Sequence, residues 1–334
     1  RDSRWERKVQ IVEKTSEKKI EYLVFGNVML DTVRSADGKE SGRENIGGPA
    51  TFAYSGIRLW TDAVMQSSRL GEDYHGLFDP WIRKNEVITD GFEVVTEHCN
   101  HSYLIYHPDG TYSGDASVER FRSDWIQDFG YMKSSPEQIE KWTKGREVKG
   151  IYVAQNVDRV WWRRLKEIKA RDGFKVMWEI EGPSSWQKFL PEVRNALESV
   201  DIFSINVQEA RNLFGVETEE ECIRELQKLP VDMTLFRVGK KGLYSVTPEH
   251  AYLIRSAPVD REIDATGCGN TSTGSALYAY CEGKDAIMTG IMANVASAQN
   301  IRQYGVIPDF AAVREFAYQQ AENLYEQYRK EEIG

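Results

Sequence analysis

Short apolar segments alternate with longer amphipathic segments through most of the chain. From residue 150 onward the strand-like segments are GIYVAQN, FKVMWEI, DIFSIN and MTLFRVG, and a helical pattern lies between consecutive segments, around 159–171, 186–198 and 207–228. Strands that alternate with helices form parallel sheets with right-handed crossovers. The pattern therefore predicts an α/β fold with a mainly parallel central sheet.

The part of the chain before residue 150 is less regular. Its first strand is EYLVFGNVML (21–30), which ends at Asp31, and GGPATFAYSGIRLW (47–60) is typical of a glycine turn that opens a helix. Segment 94–107 and the residues after the turn in PDGTYSG (108–114) have strand character, which predicts a hairpin. We expect a charged leader over residues 1–20 and one α/β domain over 21–334, with a small β lid formed by about 32–46 and 94–122.

Composition and charge exclude several classes of protein. Of the 334 residues, 41% are hydrophobic and 28% are charged, and no apolar run approaches the roughly 20 residues of a membrane-spanning helix. The 43 basic residues against 52 acidic residues leave a net charge of −9, which disfavours nucleic acid as a partner. The charged start has no apolar signal region and the four scattered cysteines fit free thiols, so we expect a cytoplasmic protein without a membrane partner.

The segment IDATGCGNTSTGSALYAYCEG (263–283) carries the clearest chemical pattern. A strand-like lead meets Gly267, Cys268 and Gly269, and a helix then begins. Small residues at this point let backbone N–H groups converge at the positive end of the helix, which suits a phosphate group. The segment has neither the P-loop spacing nor that of a dinucleotide fingerprint, and a tight structural turn explains the same residues equally well.

Five segments in chain order resemble the ribokinase/PfkB family of carbohydrate kinases. They are GNVMLD (26–31), GGPATFAYSGIRLW followed by SSRLGEDYHG (67–76), NVQE (206–209), RVGKKGLY (237–244) and DATGCGN (264–270). The resemblance implies a ribokinase-like three-layer α/β/α fold with a small β-sheet lid. It also implies ATP-dependent phosphoryl transfer to a hydroxyl group of a sugar or nucleoside-like small molecule, with ATP as co-substrate and Mg²⁺ as cofactor.

The resemblance assigns residues to the acceptor and to the phosphoryl group. It implies that Asp31 binds sugar hydroxyls and that Gly47 and Gly48 lie beside the substrate. The backbone of Gly267, Cys268 and Gly269 would hold the transferring phosphoryl group as an anion hole. Asp31 as a turn residue at the end of a strand remains the structural alternative.

The resemblance also assigns residues to the nucleotide and to metal ions. Asn206 and Glu209 would lie near Mg²⁺ and the phosphates, with Glu209 acting through water. The residues implied beside the nucleotide are Arg237, Gly239, Gly242 and Asn294, and Asp264 would lie beside a K⁺ ion. The structural alternative for Asn206 and Glu209 is a pair that caps a helix N-terminus.

Three positions depart from the family pattern. Asn270 stands where the family has the aspartate that accepts the hydroxyl proton, and an amide cannot act as a general base at neutral pH. Phe52 replaces a sugar-contacting asparagine, and Asn156 stands where ribokinase-like members have a carboxylate. The acceptor is therefore expected to differ from plain ribose or fructose.

These departures leave three hypotheses open. The first is a kinase with reduced or redirected activity, in which a Cys268 thiolate at a helix N-terminus is one conceivable substitute base. The second is a pseudokinase that binds a sugar or a nucleotide without turnover, and the third is an engineered replacement of a natural aspartate. For a working kinase, Asn270→Asp is expected to raise phosphoryl transfer at least about tenfold.

Two groups of residues outside these motifs have more than one interpretation. His98, Cys99, His101 and His107 are metal-ligand types, but neighbouring positions of a strand face opposite sides, so a water-excluding lid with Tyr103, Tyr106 and Tyr112 is favoured. For Trp161, Trp162, Trp178 and Trp186, core packing is favoured over a stacking platform. An exposed lid edge would pair with a second copy of the chain, which predicts a homodimer.

Overall fold

A computed structural model of the chain describes residues 18–108, 111–114 and 133–333. Most of the predicted leader and the segment 115–122 of the predicted lid lie outside the described residues. Two β-sheets and two layers of helices make up the described part, and no helix in these ranges has the length and apolar character needed to cross a membrane.

Nine strands form the central sheet, in the order β13-β12-β11-β10-β9-β8-β1-β4-β5. The strands β11, β10, β9, β8, β1, β4 and β5 are parallel to one another, whereas β12 and β13 form an antiparallel edge. The bounds are β1 Tyr22–Phe25, β4 Val64–Gly71, β5 Phe92–Thr96, β8 Gly150–Gln155, β9 Lys175–Ile180, β10 Ile202–Asn206, β11 Met233–Arg237, β12 Gly242–Val246 and β13 Ala251–Arg255. The predicted α/β fold with a mainly parallel sheet is confirmed.

Side chains of the central strands enter two separate cores. In β1, Tyr22 and Val24 pack in one core, and Leu23 and Phe25 pack in the other. Successive side chains of a strand point to opposite faces, so a strand that is apolar throughout is covered on both faces. The sequence YLVF therefore places β1 in the middle of a three-layer structure.

The helices divide between the two faces of the sheet. One layer contains α1 Pro49–Arg58, α2 His75–Asn85, α8 Cys268–Cys281, α9 Ala286–Asn300 and α10 Phe310–Ile333. The other layer contains α3 Pro136–Thr143, α4 Arg159–Asp172, α5 Leu190–Leu197, α6 Val207–Phe214 and α7 Glu219–Leu226. Trp161, Trp162 and Trp178 are buried in this second core, as the core-packing interpretation predicts, whereas Trp186 is 51% exposed.

A second, small sheet has the strand order β3-β2-β6-β7. Its strands are β2 Met29–Arg34, β3 Asn45–Gly47, β6 Asn100–Tyr106 and β7 Tyr112–Gly114, and β6 with β7 forms the predicted hairpin. Two boundaries differ from the prediction. The segment 21–30 is two strands, because the chain leaves the central sheet after Phe25, and β5 pairs with β4 in the central sheet rather than joining the lid.

Helices α1 and α8 pack unusually close to each other, because each contributes a glycine to the contact. A Cβ at Gly56 would lie 2.0 Å from the carbonyl oxygen of Thr271, and a Cβ at Gly274 would lie 2.1 Å from that of Ala53. Real Cβ atoms do not approach this near, so the two backbones meet only where both side chains are absent. This contact fixes the N-terminus of α8 relative to α1.

Candidate active site

The candidate site lies beneath the N-terminus of α8, on the face of the central sheet that this helix covers. Glu179 lies two residues after Met177 in β9, and Arg237 lies two residues after Leu235 in β11. Because Met177 and Leu235 belong to the core on the α8 side, the period of two places Glu179 and Arg237 on that side as well. Ligands of open α/β sheets bind at the carboxyl ends of the strands, where Arg237 lies.

The turn before α8 can accept an anion. Gly267 caps the helix in the left-handed region, with φ of 75°, and no side chain caps the first N–H groups. A Cβ at Gly267 would lie 2.2 Å from the ring of Phe52, and a Cβ at Gly269 would lie 2.0 Å from Nη1 of Arg237. The predicted anion hole therefore lies between an aromatic ring and a guanidinium group, and both the helix end and Arg237 favour negative charge.

The Phe52 ring packs against the turn at Gly267. Its side chain is only 2% exposed, so the ring that was predicted to contact substrate is covered by Gly267 instead. The structure gives Phe52 a packing role, and its predicted contact with substrate stays a prediction. The ring fills the space under the turn because Gly267 has no side chain.

A chain of polar side chains runs under the same turn. The hydroxyl of Tyr152 donates to Oε2 of Glu179 at 2.7 Å, and Nη2 of Arg237 lies 2.9 Å from Oε1 of Glu179. Tyr152 and Glu179 are buried, and the Arg237 side chain is partly exposed at the end of β11, so this chain leads from the interior of the sheet to the end of the strand.

Asn206 and Glu209 form a reciprocal cap on α6. Oδ1 of Asn206 accepts from the Glu209 N–H at 2.9 Å, and Oε2 of Glu209 accepts from the Asn206 N–H at 3.0 Å. The structural alternative for this pair is therefore present. Burial raises the pKa of Glu209, and Arg237, whose Nη2 lies 3.9 Å from the carboxylate, opposes that effect.

Gly239 and Gly242 flank a turn that follows Arg237. Gly239 has a φ of 64° and begins a short 3₁₀ turn over Gly239–Lys241. Gly242 has a φ of 120°, and a Cβ there would lie 2.1 Å from the carbonyl oxygen of Ile254. The turn thus brings backbone rather than side chains next to the end of β11.

Asp31 lies on the other side of the α8 N-terminus, in the small sheet. The Asp31 carboxylate accepts a hydrogen bond from Ser102, its partner in β6, and a Cβ at Gly47 would lie 1.8 Å from Oδ2 of Asp31. Burial is the main reason that the pKa of Asp31 is raised to about 6, and the charge of Asp264 adds to that effect. Asp31 is therefore a strand residue with a buried carboxylate rather than a residue that ends the first strand.

Two buried amides near Asp31 have polar atoms without a partner in the described ranges. These atoms are Oδ1 of Asn27, a residue that is 5% exposed, and Nδ2 of Asn100, a residue that is 7% exposed. Asn27 lies next to Gly48, because its carbonyl oxygen accepts from Ala50 and would lie 2.6 Å from a Cβ at Gly48. Asn100 pairs with Met29 in β2. Buried polar atoms are normally satisfied, so one free acceptor and one free donor suit a ligand with hydroxyl groups.

The raised pKa of Asp31 predicts how Asp31→Asn changes stability with pH. A carboxyl with a folded pKa of about 6 and an ordinary value of 3.8 destabilises the folded state as pH rises through that window, by about 3 kcal/mol in total. We expect Asp31→Asn to gain stability relative to the wild type by up to that amount between pH 4 and pH 7. Chemical denaturation at several pH values measures this difference.

Asp37→Asn is the matched control, because Asp37 is an exposed carboxyl whose pKa is lowered to about 2, mainly by Lys39. As pH rises, Asp37→Asn should lose a small amount of stability relative to the wild type, because the lowered pKa of Asp37 means that its charged form favours the folded state. A stability difference between Asp31→Asn and the wild type that does not change with pH would contradict the burial of a charged Asp31.

Asp264 connects this side of the site to the lid. Its Oδ1 accepts from the N–H of Thr266 at 3.0 Å and from the Thr266 hydroxyl at 2.7 Å, while Oδ2 is buried and unpartnered within the described part. Burial raises the pKa of Asp264. The hydroxyls of Tyr106 and Thr266 lie 2.9 Å apart, so β6 is joined to the turn before α8.

The structure gives two predicted site residues bonds within the fold. Asn156 donates to Oε2 of Glu181 at 2.6 Å and accepts from the hydroxyl of Ser184 at 2.7 Å. Asn294 donates to the carbonyl oxygens of Ile254 and Arg255, each at 2.9 Å, and so ties α9 to the end of β13. Both amides have a structural role, and their predicted contacts with acceptor and nucleotide stay predictions.

Cys268 does not have the environment of a reactive thiol. Burial raises its pKa to about 12, and the raised value outweighs the lowering that its position at a helix N-terminus predicts. The raised pKa disfavours the hypothesis that a Cys268 thiolate replaces the missing base, and the hypothesis itself stays a prediction. The residue remains part of the anion hole through its backbone.

Of the side chains of the histidines and the cysteine near the lid, only those of His98 and His101 contact a common group in the described part of the chain, the Asp73 carboxylate. Cys99 is buried with its sulfur against the Gly71 N–H, His101 lies between Asp73 and Glu44, and His107 lies 3.1 Å from the Ser113 hydroxyl. Within the described ranges, no group of three metal-ligand side chains is close enough to hold an ion.

Two residues of the site were missed in the sequence, Tyr152 and Glu179. A signal for Glu179 was present, because an acidic residue inside the apolar segment FKVMWEI has to be buried and paired. No signal identified Tyr152, since its pairing with Glu179 depends on the register of β8 against β9.

Comparisons with known proteins show the family of this chain. A family model described as pfkB family carbohydrate kinase matches residues 20–312. An uncharacterised protein of Schizosaccharomyces pombe is 24% identical over 325 residues, which cover 86% of each chain. A ribokinase of Arabidopsis thaliana is 30% identical over 127 residues, which cover 35% of this chain and 33% of that protein.

Solved structures share the fold over nearly the whole chain. A nucleoside kinase of Burkholderia thailandensis in complex with inosine is 17% identical with a TM-score of 0.64, covering 89% of this chain and 97% of that one. An Arabidopsis thaliana ribokinase complexed with ribose and ATP is 19% identical with a TM-score of 0.67, covering 91% and 99%. The predicted ribokinase-like fold is confirmed, and the chain belongs to the pfkB family of carbohydrate kinases.

Proposed function

We propose that the protein transfers the γ-phosphoryl group of ATP to a hydroxyl group of a sugar or nucleoside-like small molecule, at a rate reduced by the amide at position 270. The observation that carries this proposal is the uncapped N-terminus of α8 between two sets of polar groups. Asp31 lies on the side of Asp264, and Arg237 packs against Gly269 beside Glu209. An anion site between a hydroxyl-binding side and a cationic side suits phosphoryl transfer.

A polyhydroxyl acceptor fits the side that contains Asp31. The buried carboxylate accepts hydrogen bonds, and the unpartnered atoms of Asn27 and Asn100 add one acceptor and one donor. A hydroxyl group both donates and accepts hydrogen bonds, so the hydroxyl groups of an acceptor suit Asp31, Asn27 and Asn100 alike. The relatives solved with inosine and with ribose and ATP support the same substrate class.

The proposed reaction balances without a protein base at position 270. The acceptor oxygen forms a bond to the γ-phosphorus as the bond to the bridging oxygen breaks, and ADP leaves. The hydroxyl proton passes to a phosphoryl oxygen, since the Asn270 amide is not a base and the raised pKa of Cys268 keeps its thiol protonated. The N–H groups at the start of α8 and the Arg237 guanidinium hold the charge on the phosphoryl oxygens. General-base catalysis is worth about 10²–10⁴-fold, so the transfer should be slow.

The residues present fit two metal ions. The Glu209 carboxylate is partly buried beside the proposed phosphate site and would hold Mg²⁺ through water, with Asn206 next to it. Bound Mg²⁺ neutralises phosphate charge in such transfers. Oδ2 of Asp264 is a buried oxygen without a partner among the described residues, which suits a K⁺ ion next to the turn.

Thermal stabilisation by ligands tests the proposed function. A ligand that binds only the folded protein stabilises it by about 2.7 kcal/mol at 100 times its dissociation constant. We expect Mg·ATP to raise Tm and the rise to grow with one member of a panel of sugars, sugar phosphates and nucleosides. The same pair is then assayed for ADP and a phosphorylated product.

Gly269→Ala and Gly76→Ala are the matched variants for this experiment. A Cβ at Gly269 would displace the Arg237 guanidinium, whereas a Cβ at Gly76 meets no atom within 4 Å. Only Gly269→Ala should lose the Mg·ATP effect. Stabilisation by a sugar or nucleoside without any effect of Mg·ATP would contradict the proposal and favour a binding protein without turnover.

A further inference from the structure

An open cavity of about 790 Å³ lies between α6 and the segment 186–188. Four residues of α6 and its C-terminal end line one wall, spaced as i, i+3, i+4 and i+7: Gln208, Arg211, Asn212 and Gly215. This spacing places all four on one face of the helix. Glu209, at the proposed Mg²⁺ site, is one residue after Gln208 and lies on a different face. The cavity is therefore separate from the candidate active site.

The two walls of the cavity contact each other at Gly215. This residue ends α6 with a φ of 66°, and a Cβ there would lie 2.8 Å from Nε2 of Gln187. The segment that carries Gln187 is held by a short 3₁₀ turn, in which the Trp186 carbonyl oxygen accepts from the Phe189 N–H at 2.8 Å. Both walls are thus fixed by the fold, and the volume lies within the range of about 300–1,000 Å³ of sites for small molecules.

Trp186 offers a flat aromatic face to this cavity. Its side chain is 51% exposed and belongs to neither of the two cores, unlike Trp161, Trp162 and Trp178. An exposed aromatic face can stack against a planar ring, and such stacking tolerates any base because every base has a π-face. The core-packing interpretation does not apply to Trp186, so its exposed indole is a candidate stacking surface.

Arg211 brings positive charge to the opposite wall. Its Nε is buried without a hydrogen-bond partner, and no carboxylate among the described residues forms an ion pair with its guanidinium group. Of the other charged residues that line the cavity, Lys188 adds a second cation and Glu217 an acid. A guanidinium group without a carboxylate partner favours an anionic ligand, and its planar fork matches the oxygens of a phosphate group.

Two carboxamides lie on the same wall as Arg211. Nε2 of Gln208 donates to Oδ1 of Asn212 at 3.0 Å. This bond leaves Oε1 of Gln208 as an acceptor and Nδ2 of Asn212 as a donor for a ligand. A donor and an acceptor from carboxamide groups match the hydrogen-bonding edge of a nucleobase.

We propose that this cavity binds a nucleoside monophosphate, with the base stacked on Trp186 and the phosphate group paired with Arg211. The indole suits the planar base, the guanidinium suits the charge, and Gln208 with Asn212 suits the polar edge of the base. The proposal does not depend on phosphoryl transfer at the N-terminus of α8, because the cavity and the candidate active site use different faces of α6.

Isothermal titration calorimetry with the full chain tests the proposal. The probes are AMP, GMP, CMP and UMP, with the matching nucleosides and inorganic phosphate as partial ligands. We expect at least one nucleotide to bind at least about tenfold more tightly than its nucleoside and than phosphate, because stacking and the ion pair then act together. Trp186→Ala and Arg211→Met should each raise its Kd at least about fivefold.

Arg159→Met is the matched control for charge. It removes one positive charge from an arginine that is 83% exposed and does not line the cavity, so the Kd of the nucleotide should stay unchanged. Trp186→Phe is the conservative variant, since it keeps an aromatic face and removes the indole. It should retain binding within about fivefold and lose the quenching of tryptophan fluorescence that the nucleotide causes in the wild type. Thermal denaturation without ligand shows that each variant is folded.

The outcomes separate this site from the candidate active site. Nucleotide binding that survives Trp186→Ala and Arg211→Met but is lost in Gly269→Ala would place the nucleotide at the N-terminus of α8 and overturn the proposal. Equal affinities for inorganic phosphate and the nucleotide would overturn the role of Trp186. No binding of any of the four nucleotides at about 1 mM would overturn the proposal as a whole. None of these results decides the effect of Mg·ATP, which tests the proposed function on its own.

Discussion

Gly267→Ala is expected to lower the free energy of unfolding by about 4 kcal/mol, through two separate effects. The residue has a φ of 75°, where an alanine costs about 1–2 kcal/mol relative to glycine. The new Cβ would also lie 2.2 Å from the Phe52 ring, and overpacking of this kind costs about 1–3 kcal/mol. The ring is 2% exposed, so it has little space to move. Chemical denaturation measures the total.

Gly283→Ala separates the two effects, because Gly283 has a φ of 73° and a Cβ there meets no atom within 4 Å. Gly283→Ala should lower the free energy of unfolding only by the backbone contribution of about 1–2 kcal/mol. The difference between the two variants reports the contact with Phe52, and Phe52→Leu should reduce that difference. Equal losses at Gly267 and Gly283 would show that Phe52 does not pack against the turn.

Arg237→Met is expected to cost about 3–5 kcal/mol of stability, because it leaves the Glu179 carboxylate buried without its cation. Glu179 is 4% exposed and has no route to bulk water without a change in the fold. The variant should also lose stabilisation by Mg·ATP, since the guanidinium lies against Gly269 at the proposed phosphate site. Denaturation with and without Mg·ATP measures both losses.

Arg159→Met is the control for Arg237→Met. Arg159 pairs with Glu192 at 3.3 Å, but its side chain is 83% exposed, and exposed ion pairs are worth about 0–1 kcal/mol. Adding Glu179→Gln to Arg237→Met should restore part of the lost stability, because the uncompensated charge is then removed. A loss at Arg237 no larger than that at Arg159 would be inconsistent with a buried pair.

Local patterns were sufficient to predict the central sheet, and non-local pairing explains where the prediction was wrong. The segment YLVF is recognisable as a strand from its four apolar residues alone. Nothing in GNVMLD shows that the chain passes from one sheet to another after Phe25, because Met29–Arg34 is also a strand and pairs with β6 about seventy residues away. The assignment of β5 to the lid was wrong for the same reason.

The candidate site was predictable wherever a short motif carries its chemistry. The turn Gly267–Gly269 and the pair Asn206 with Glu209 lie where the motifs imply, at the starts of α8 and α6. Asn156 and Phe52 were assigned by position in a motif, but their contacts are set by Glu181, Ser184 and Gly267.

The glycine contact between α1 and α8 has a consequence for motion during a catalytic cycle. Helix α1 follows directly after Gly47 and Gly48, beside Asp31, and α8 begins at the anion hole. Because Gly56 and Gly274 bring these helices together backbone to backbone, α1 and the anion hole at the start of α8 are held at a fixed spacing. For the proposed phosphoryl transfer, a movement of the small sheet, which contains Asp31, would therefore change the distance between the acceptor and an anion hole that α1 holds in place.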